Sequence, residues 1–205
     1  AHDVKGFWHL IKVVKLVKSK VPNIKLMIIG DGDYSAYQKL AQELGIAEQV
    51  LFTGVQMNPF ALLAKADVYA LTSDSEGFPN ALIEAMAVGL PCVSVNCKTG
   101  PAEILQNDYQ QCAAQDKVYH ADYGILTPVF YGGKNLDASM ISQEEEIFAG
   151  ELVELLLNQK LMASYRNKAL YRANQFGVDA YVREIDRLIV QELEWPEVEN
   201  VGQQE

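Results

Sequence analysis

Short apolar runs alternate with stretches of helical period along most of this chain. Residues 25–30 (KLMIIG), 49–54 (QVLFTG), 66–73 (ADVYALTS) and 91–96 (PCVSVN) are near-continuous apolar runs of strand length, bounded by turn residues. Between them lie amphipathic segments. LIKVVKLVKSK puts Leu10, Val13, Val14 and Val17 on one face, with Lys12, Lys15 and Lys18 largely away from it, which predicts a helix with a solvated lysine face that also takes in Lys20. YSAYQKLAQELG predicts a helix closed by Gly45 at its C-cap, and NPFALLAKA a short helix with Pro59 near its first turn. NALIEAMAVG predicts a helix stopped by Gly89, and PAEIL a short helix; Cys92, after Pro91, is expected in the core. Residues 106–121 lack periodicity and read as a loop insertion, and YGILTPV as a last short strand. From about residue 142 the pattern is wholly helical, in three segments expected to pack on the outer layer of the sheet. Strands alternating with helices at this spacing predict an α/β fold with a parallel sheet and right-handed crossovers.

The bulk properties narrow the function. At 205 residues the chain can bury a full core. A net charge of −10 argues against a nucleic-acid surface and against extensive contact with an anionic membrane. Cys92, Cys97 and Cys112 are odd in number and lack metal-ligand spacing, so reduced thiols are expected. No apolar stretch is long enough for a membrane span, and no signal-peptide pattern is present. The chain starts at Ala1 a few residues before a predicted helix and reads as an excised domain or processed fragment.

The candidate chemistry lies in EGFPNALIE. Glu76 sits in a Gly/Pro turn after the third predicted strand, and Glu84 falls one to two turns into the following helix. Strand, glycine turn and helix start form the place where an open α/β fold holds phosphate. Gly77 permits the turn, Pro79 suits the first helical position, and the N–H groups of Asn80, Ala81 and Leu82 are expected to be free for an anion. A carboxylate placed on that anion would be repelled, so Glu76 and Glu84 are expected to face neutral hydroxyls. A ligand with a central diphosphate and sugars at both ends, a nucleoside-diphosphate sugar, meets both demands. A decorated turn and a solvated helix residue are the plain alternative.

EGFPNALIEAMAVGLPCVSV resembles the E-x7-E signature of the retaining, GT-B-fold glycosyltransferases of family 4. Lys5-Gly6-Phe7 followed by LIK resembles that family's K-G-x-x-x-L-I stretch, and KLMIIGDGDY its strand and G-x-G turn. FTGVQMNPF, ADVYALTSDSEG, GPAEIL and YGILTP resemble its further blocks, so the likeness runs over about residues 5–128. It implies a Rossmann-like donor-binding domain over 1–193, with helices on both faces of the sheet, a helical C-terminal extension and an acidic tail at 194–205. It implies that Lys5 neutralises the donor diphosphate, Glu84 binds ribose hydroxyls, and Glu76 holds the donor sugar near its anomeric centre. Gly77, Phe78, Pro79 and Asn80, with Ala81 and Leu82, would wrap sugar and phosphate; Gly54, Val55 and Gln56 would lie near the base. Gly30 and Gly32 would shape the adjacent loop, while Gly100 and Pro101 read equally as a phosphate contact or a plain helix start.

The chain departs from the family pattern in lacking the Gly-Arg pair expected just before the lysine. The resemblance therefore implies that this pair, the first strand and the N-terminal acceptor domain lie outside the chain, and that the fragment alone is inactive. It further implies a UDP-sugar donor, hexose or N-acetylhexosamine transfer in bacterial surface polysaccharide or glycan synthesis, and no bound metal or other cofactor. The resemblance also implies a cytoplasmic setting, with any membrane contact at the inner face made through the missing domain. A non-catalytic nucleotide-sugar-binding module and the donor half of a sucrose or trehalose synthase stay open. His9 reads as a surface helix residue, and Glu144-Glu145-Glu146 as the solvated first turn of a helix.

Overall fold

The computed structural model describes residues 3–193, so the tail expected over 194–205 lies outside the described residues. After a 3-10 turn over Asp3–Lys5 the order is α1 (Phe7–Val17), β1 (Leu26–Ile28), α2 (Ser35–Glu43), β2 (Val50–Phe52), α3 (Phe60–Leu63), β3 (Tyr69–Leu71), α4 (Asn80–Ala87), β4 (Cys92–Val95) and α5 (Pro101–Leu105). Then come β5 (Tyr119–His120), β6 (Ile125–Thr127), α6 (Gln143–Leu157), α7 (Gln159–Asn174) and α8 (Val178–Leu193). The predicted alternation of strands and helices is the observed one. Gly45 and Gly89 follow the ends of α2 and α4 with φ of 68° and 80°, the left-handed geometry that closes a helix.

The strands form two ladders, β1-β2 and β3-β4-β6-β5. All pairs are parallel except β5 with β6. The segment expected to be a plain loop thus holds a 3-10 turn over Tyr109–Cys112 and the two-residue antiparallel edge strand β5. Such short elements are below the length at which periodicity registers.

Successive residues of the central strands point into different cores. Val93, Val95 and Ile125 pack with α1, α2 and α6, while Leu71, Cys92 and Leu126 pack with α4, α5 and α7. This alternation makes a sheet with helices on both faces, apolar on each side as parallel sheets are. Arg172 of α7 ties the second layer down: its Nε and Nη2 donate to the carbonyls of Ile104 and Glu103 at the end of α5, at 2.9 and 2.8 Å. Cys92, Cys97 and Cys112 are free and buried. No helix among the described residues is long and apolar enough to cross a membrane.

Three polar residues expected at the surface are buried. His9 is 5% exposed, stacks on Phe130, and its Nδ1 lies 2.6 Å from Oε1 of Glu145, itself 1% exposed. Glu145 also closes a capping box with Ser142 at the start of α6. Lys12 is buried and donates to the carbonyl of Met140 at 2.8 Å. Each side chain meets a polar partner far along the chain, although His9 Nε2 is buried with no hydrogen-bond partner among the described residues. Replacing Glu145 with Ala removes both the buried partner of His9 and half of a capping box. The expected cost is about 3 kcal/mol or more in urea unfolding; a loss below about 1 kcal/mol would show that the pair contributes little.

Candidate functional site

The site forms where β1, β2 and β3 run out into loops. Lys5 leaves the first 3-10 turn and its Nζ donates to Oε1 of Glu76 at 2.7 Å. The lysine side chain is 46% exposed and the glutamate 10%, so the pair lies at an open rim with its acid largely covered. The backbone around Lys5 is held by β3 and its extension: Thr72 Oγ1 donates to the carbonyl of Lys5 at 3.1 Å, and the Asp74 N–H to that of Val4 at 2.9 Å. Gly6 is required between them. Its φ is 61°, and a Cβ there would lie 2.1 Å from the carbonyl oxygen of Thr72.

The turn carrying Glu76 is braced by the loop after β4. The Glu76 N–H donates to the carbonyl of Lys98 and the Thr99 N–H to that of Glu76, at 3.2 and 2.8 Å; Thr99 Oγ1 donates to the carbonyl of Gly77 at 3.0 Å. Gly100, at φ 90°, lets the two loops touch, since a Cβ would meet the Gly77 carbonyl at 2.5 Å and Pro79 Cδ at 2.6 Å. Pro101 then opens α5.

Two details of the helix end differ from expectation. Pro79 is the N-cap of α4, with extended backbone (φ −72°, ψ 91°), and Asn80 is the first helical residue. The Leu82 N–H is not free; it donates to the Pro79 carbonyl at 2.9 Å, because the first turn is tight. The N–H groups of Asn80 and Ala81 take no partner from the described residues, which leaves two unpaired donors at this helix end.

Glu84 lines two concavities. One is a slot of about 270 Å³ shared with Ala81, Pro59, Ile29 and Tyr69; the other is an open hollow with Phe78, Asn80, Phe176 and Tyr181. The phenol of Tyr69 is pushed far above its ordinary range by burial first, then by Cys92 and by the carboxylates of Glu76 and Glu84. Both glutamates are therefore within electrostatic reach of one buried tyrosine. Gly30 and Gly54 are joined by an N–H to carbonyl bond of 3.1 Å, which draws the loop carrying Gly32 to the one carrying Val55 and Gln56. Val55 is exposed, and Gln56 folds back so that Nε2 donates to the Thr53 carbonyl at 2.8 Å.

Sequence reasoning missed Tyr69, Thr99 and the wall from α7–α8. Phe176 meets Phe78 edge-on at 5.5 Å, and Tyr181 continues that wall. None carries a local signal, since each joins the site only through the fold. Among the described residues the side chains close enough to share a metal ion are His120, Glu151 and Glu154, on β5 and α6 rather than among these loops.

The family described as Glycosyl transferases group 1 matches residues 1–121. An uncharacterized glycosyltransferase of Methanocaldococcus jannaschii is 35% identical over 191 residues, covering 91% of this chain and 47% of that protein. A lipopolysaccharide 1,6-galactosyltransferase of Escherichia coli is 41% identical over 91 residues, 42% of this chain and 25% of that protein. The Campylobacter jejuni N-acetylgalactosamine-N,N'-diacetylbacillosaminyl-diphospho-undecaprenol 4-alpha-N-acetylgalactosaminyltransferase is 30% identical, with 84% and 40% covered. The chain thus spans about half or less of the length of these relatives. Among solved structures, S. aureus TarM with UDP and other ligands aligns with a TM-score of 0.70 at 21% identity, over 90% of this chain and 33% of that one. Anabaena HepE in complex with UDP aligns at 0.69 and 23% identity, over 92% and 46%. The fold is the α/β fold of GT-B glycosyltransferases.

Cys97 reports on the state of the Glu76 loop. Burial, and next the charge of Glu76, push its thiol from an ordinary 9.0 up to about 11. The folded state then holds the proton where the unfolded chain has lost it, so stability falls as pH rises from about 9 to about 11. Urea unfolding at several pH values should show the stability gap between the native chain and Cys97→Ala declining across that window. A gap constant with pH would contradict the environment assigned to Cys97.

Proposed function

The chain belongs to the glycosyl transferases group 1 family, and on that premise we propose that it is the nucleotide-sugar-binding part of a retaining glycosyltransferase of family 4. The observation that carries this reading is the convergence of Lys5, Glu76 and the free N–H groups of Asn80 and Ala81 at one helix end, with Glu84 one turn further along. Lys5 and the helix end hold the diphosphate, through charge and through donors already aimed outward. Glu84 takes the ribose hydroxyls, and Glu76 the hydroxyls of the transferred sugar. Gly77 to Leu82 wrap sugar and phosphate, and Gly54 to Gln56, beside the loop of Gly30 and Gly32, approach the base.

The 2.7 Å ion pair between Lys5 and Glu76 fits this division of labour. In the free chain each neutralises the other. An arriving diphosphate competes for Lys5, and an exposed pair of this kind resists by only about 0–1 kcal/mol. Charge-assisted bonds from Lys5 to phosphate replace it, and Glu76 is left free to accept from sugar hydroxyls. The leaving diphosphate is then stabilised electrostatically as its charge grows. Glu76 positions the sugar and is not a covalent nucleophile. The relatives named for galactose and N-acetylgalactosamine transfer favour a hexose or N-acetylhexosamine, and the neighbours holding UDP favour a UDP-sugar. The setting is surface polysaccharide or glycan synthesis on the cytoplasmic side of a membrane, with the acceptor held by a further domain and with neither a metal nor another cofactor.

Titration calorimetry with UDP, UDP-N-acetylglucosamine and GDP-mannose tests the reading. UDP-type ligands should bind, and Glu84→Ala should weaken them at least about tenfold, near 1.4 kcal/mol. Glu76→Gln should leave UDP binding intact while weakening the UDP-sugar. Absence of binding by all three, in the chain and in the full-length protein, would defeat the donor-site assignment. A full-length protein that binds but transfers no sugar would make it a non-catalytic module.

A further inference from the structure

The far edge of the larger ladder carries a cluster of groups that the donor site does not use. There β5 pairs antiparallel with β6, with Tyr119 opposite Leu126 and His120 opposite Ile125. Successive residues of a strand point to opposite faces. Tyr119 packs on the cluster that holds residues of α4, α5 and α7, so His120 faces the layer of α6. Helix α6 presents Glu151 and Glu154 there, three residues apart and therefore on one face. Leu152 and Leu155 of the same helix are buried in the other cluster and fix its rotation.

The three side chains converge. His120 Nε2 lies 2.9 Å from Oε2 of Glu151, and one ligand atom from each of His120, Glu151 and Glu154 falls within 4.8 Å of the others. His120 and Glu154 are exposed and Glu151 is partly buried, so an ion has a path in from solvent. The surroundings hold the histidine in place. The carbonyl of Ala121, its neighbour, accepts from Tyr165 Oη of α7 at 3.2 Å. Asp122 is committed elsewhere, accepting from the backbone N and from Nδ2 of Asn107 at 3.2 and 2.8 Å.

Negative charge is in excess here. Among the described residues neither Glu151 nor Glu154 is ion-paired with a lysine or arginine; Glu151 meets the His120 imidazole, and Glu154 meets no partner. The buried phenol of Tyr165 feels that excess: it is pushed up to about 12 by burial first, then by Glu151, Asp122 and Glu154.

We propose that His120, Glu151 and Glu154 bind one divalent cation of the zinc class, which fastens the edge strand β5 to α6. Two carboxylates and a neutral imidazole cancel the charge of such an ion. The mixed nitrogen and oxygen set favours zinc, cobalt or nickel over calcium and magnesium, which prefer oxygen donors alone. Three protein ligands with water in the fourth position is a coordination that zinc takes, at about 2.0–2.2 Å from each donor. Ligand atoms around it then stand about 3.3–3.6 Å apart, so the His120–Glu151 pair opens slightly and the exposed Glu154 side chain swings in.

The ion is structural. Strand β5 has two residues and one strand neighbour, so little else secures this edge. Joining His120 to Glu151 closes 31 residues of chain on themselves. The site lies at the opposite edge of its ladder from β3, whose following loop carries Glu76, and takes no part in the transfer proposed above. Nothing in this cluster depends on the donor reading.

Titration calorimetry of the chelator-treated 205-residue chain with zinc chloride, and separately with magnesium and calcium chlorides, tests the site without any nucleotide. Zinc should bind one to one, and excess magnesium or calcium should not displace it. His120→Ala and Glu154→Gln should each weaken zinc at least about tenfold. Glu154→His exchanges one ligand for another and should retain the binding that Glu154→Gln loses. Glu154 is exposed and without a partner among the described residues, so its two variants keep the fold even if His120→Ala loosens β5. Zinc should also slow hydrogen exchange at the amides of Tyr119 and His120 in the native chain and not in Glu154→Gln. Zinc affinity indifferent to all three substitutions would place the ion elsewhere, at the cysteines for example, and overturn the proposal. So would calcium binding as strong as zinc binding, which would make the cluster an ordinary acidic patch. Absence of zinc binding at about 1 mM would overturn it as well, and binding that leaves β5 exchange unchanged would refute the fastening role.

Discussion

The geometry of the site depends on one close approach, that of Gly6 to the carbonyl of Thr72. Only a residue without Cβ fits there, and only a left-handed φ turns the chain from the 3-10 segment into α1. Three things follow from that contact. Lys5 is held with its backbone bonded to Thr72 and its ammonium on Glu76. The first turn of α1 is driven inward, so that Trp8 and His9 are buried. The axis of α1 is fixed against the sheet, which lets His9 meet Glu145 of α6. A larger residue at position 6 would disturb all three at once.

The apparent conflict between an anion-binding helix end and two nearby carboxylates resolves through their placement. Glu76 lies before the helix and is matched by a lysine, so its charge is not presented to an incoming anion in the free chain. Glu84 lies within α4, a turn beyond the free N–H groups of Asn80 and Ala81, and faces concavities lined largely by apolar and aromatic residues. The two unpaired donors at the head of α4 thus lie between the two carboxylates in the chain, Glu76 before the helix and Glu84 within it. The chain carries a net charge of −10, so any anion at this helix end must be held by local donors against an unfavourable overall field.

Much of this was legible in the sequence, for identifiable reasons. Apolar runs closed by Gly30, Gly54 and Gly89 mark strand ends and helix stops through backbone preferences that act locally. The run EGFPNALIE places a turn, a helix start and two acids by the same local logic. Residues whose fate is decided by a distant partner were misread. His9 and Glu145 are 136 positions apart, and each alone looks like an exposed polar residue. Lys12 has the composition of a solvated face but finds the Met140 carbonyl inside the fold. The free donors at the head of α4 are one fewer than expected, because the Leu82 N–H is taken by the Pro79 carbonyl. Phe176 and Tyr181 reach Phe78 only because α7 packs on α4, a fact that no window of sequence contains.

The interrupted sheet raises the question of what keeps its two ladders in register. The loops bearing Gly30 and Gly54 belong to one ladder, while Glu76 and Glu84 follow the other, so the proposed donor site draws on both. Backbone bonds do not join β1 to β3, so the connection is made by packing. Helix α1 supplies it, lying against α2 beside the first ladder and against α6 over the second. Leu26 and Ile28 share one buried cluster with Val93, Val95 and the apolar residues of α1. Apolar burial is non-directional and tolerates small slips that a hydrogen-bonded ladder forbids. A site spanning a gap joined by packing is less stiff across it than within either ladder. Where donors must already be aimed, that stiffness governs how much of an electrostatic interaction survives as affinity.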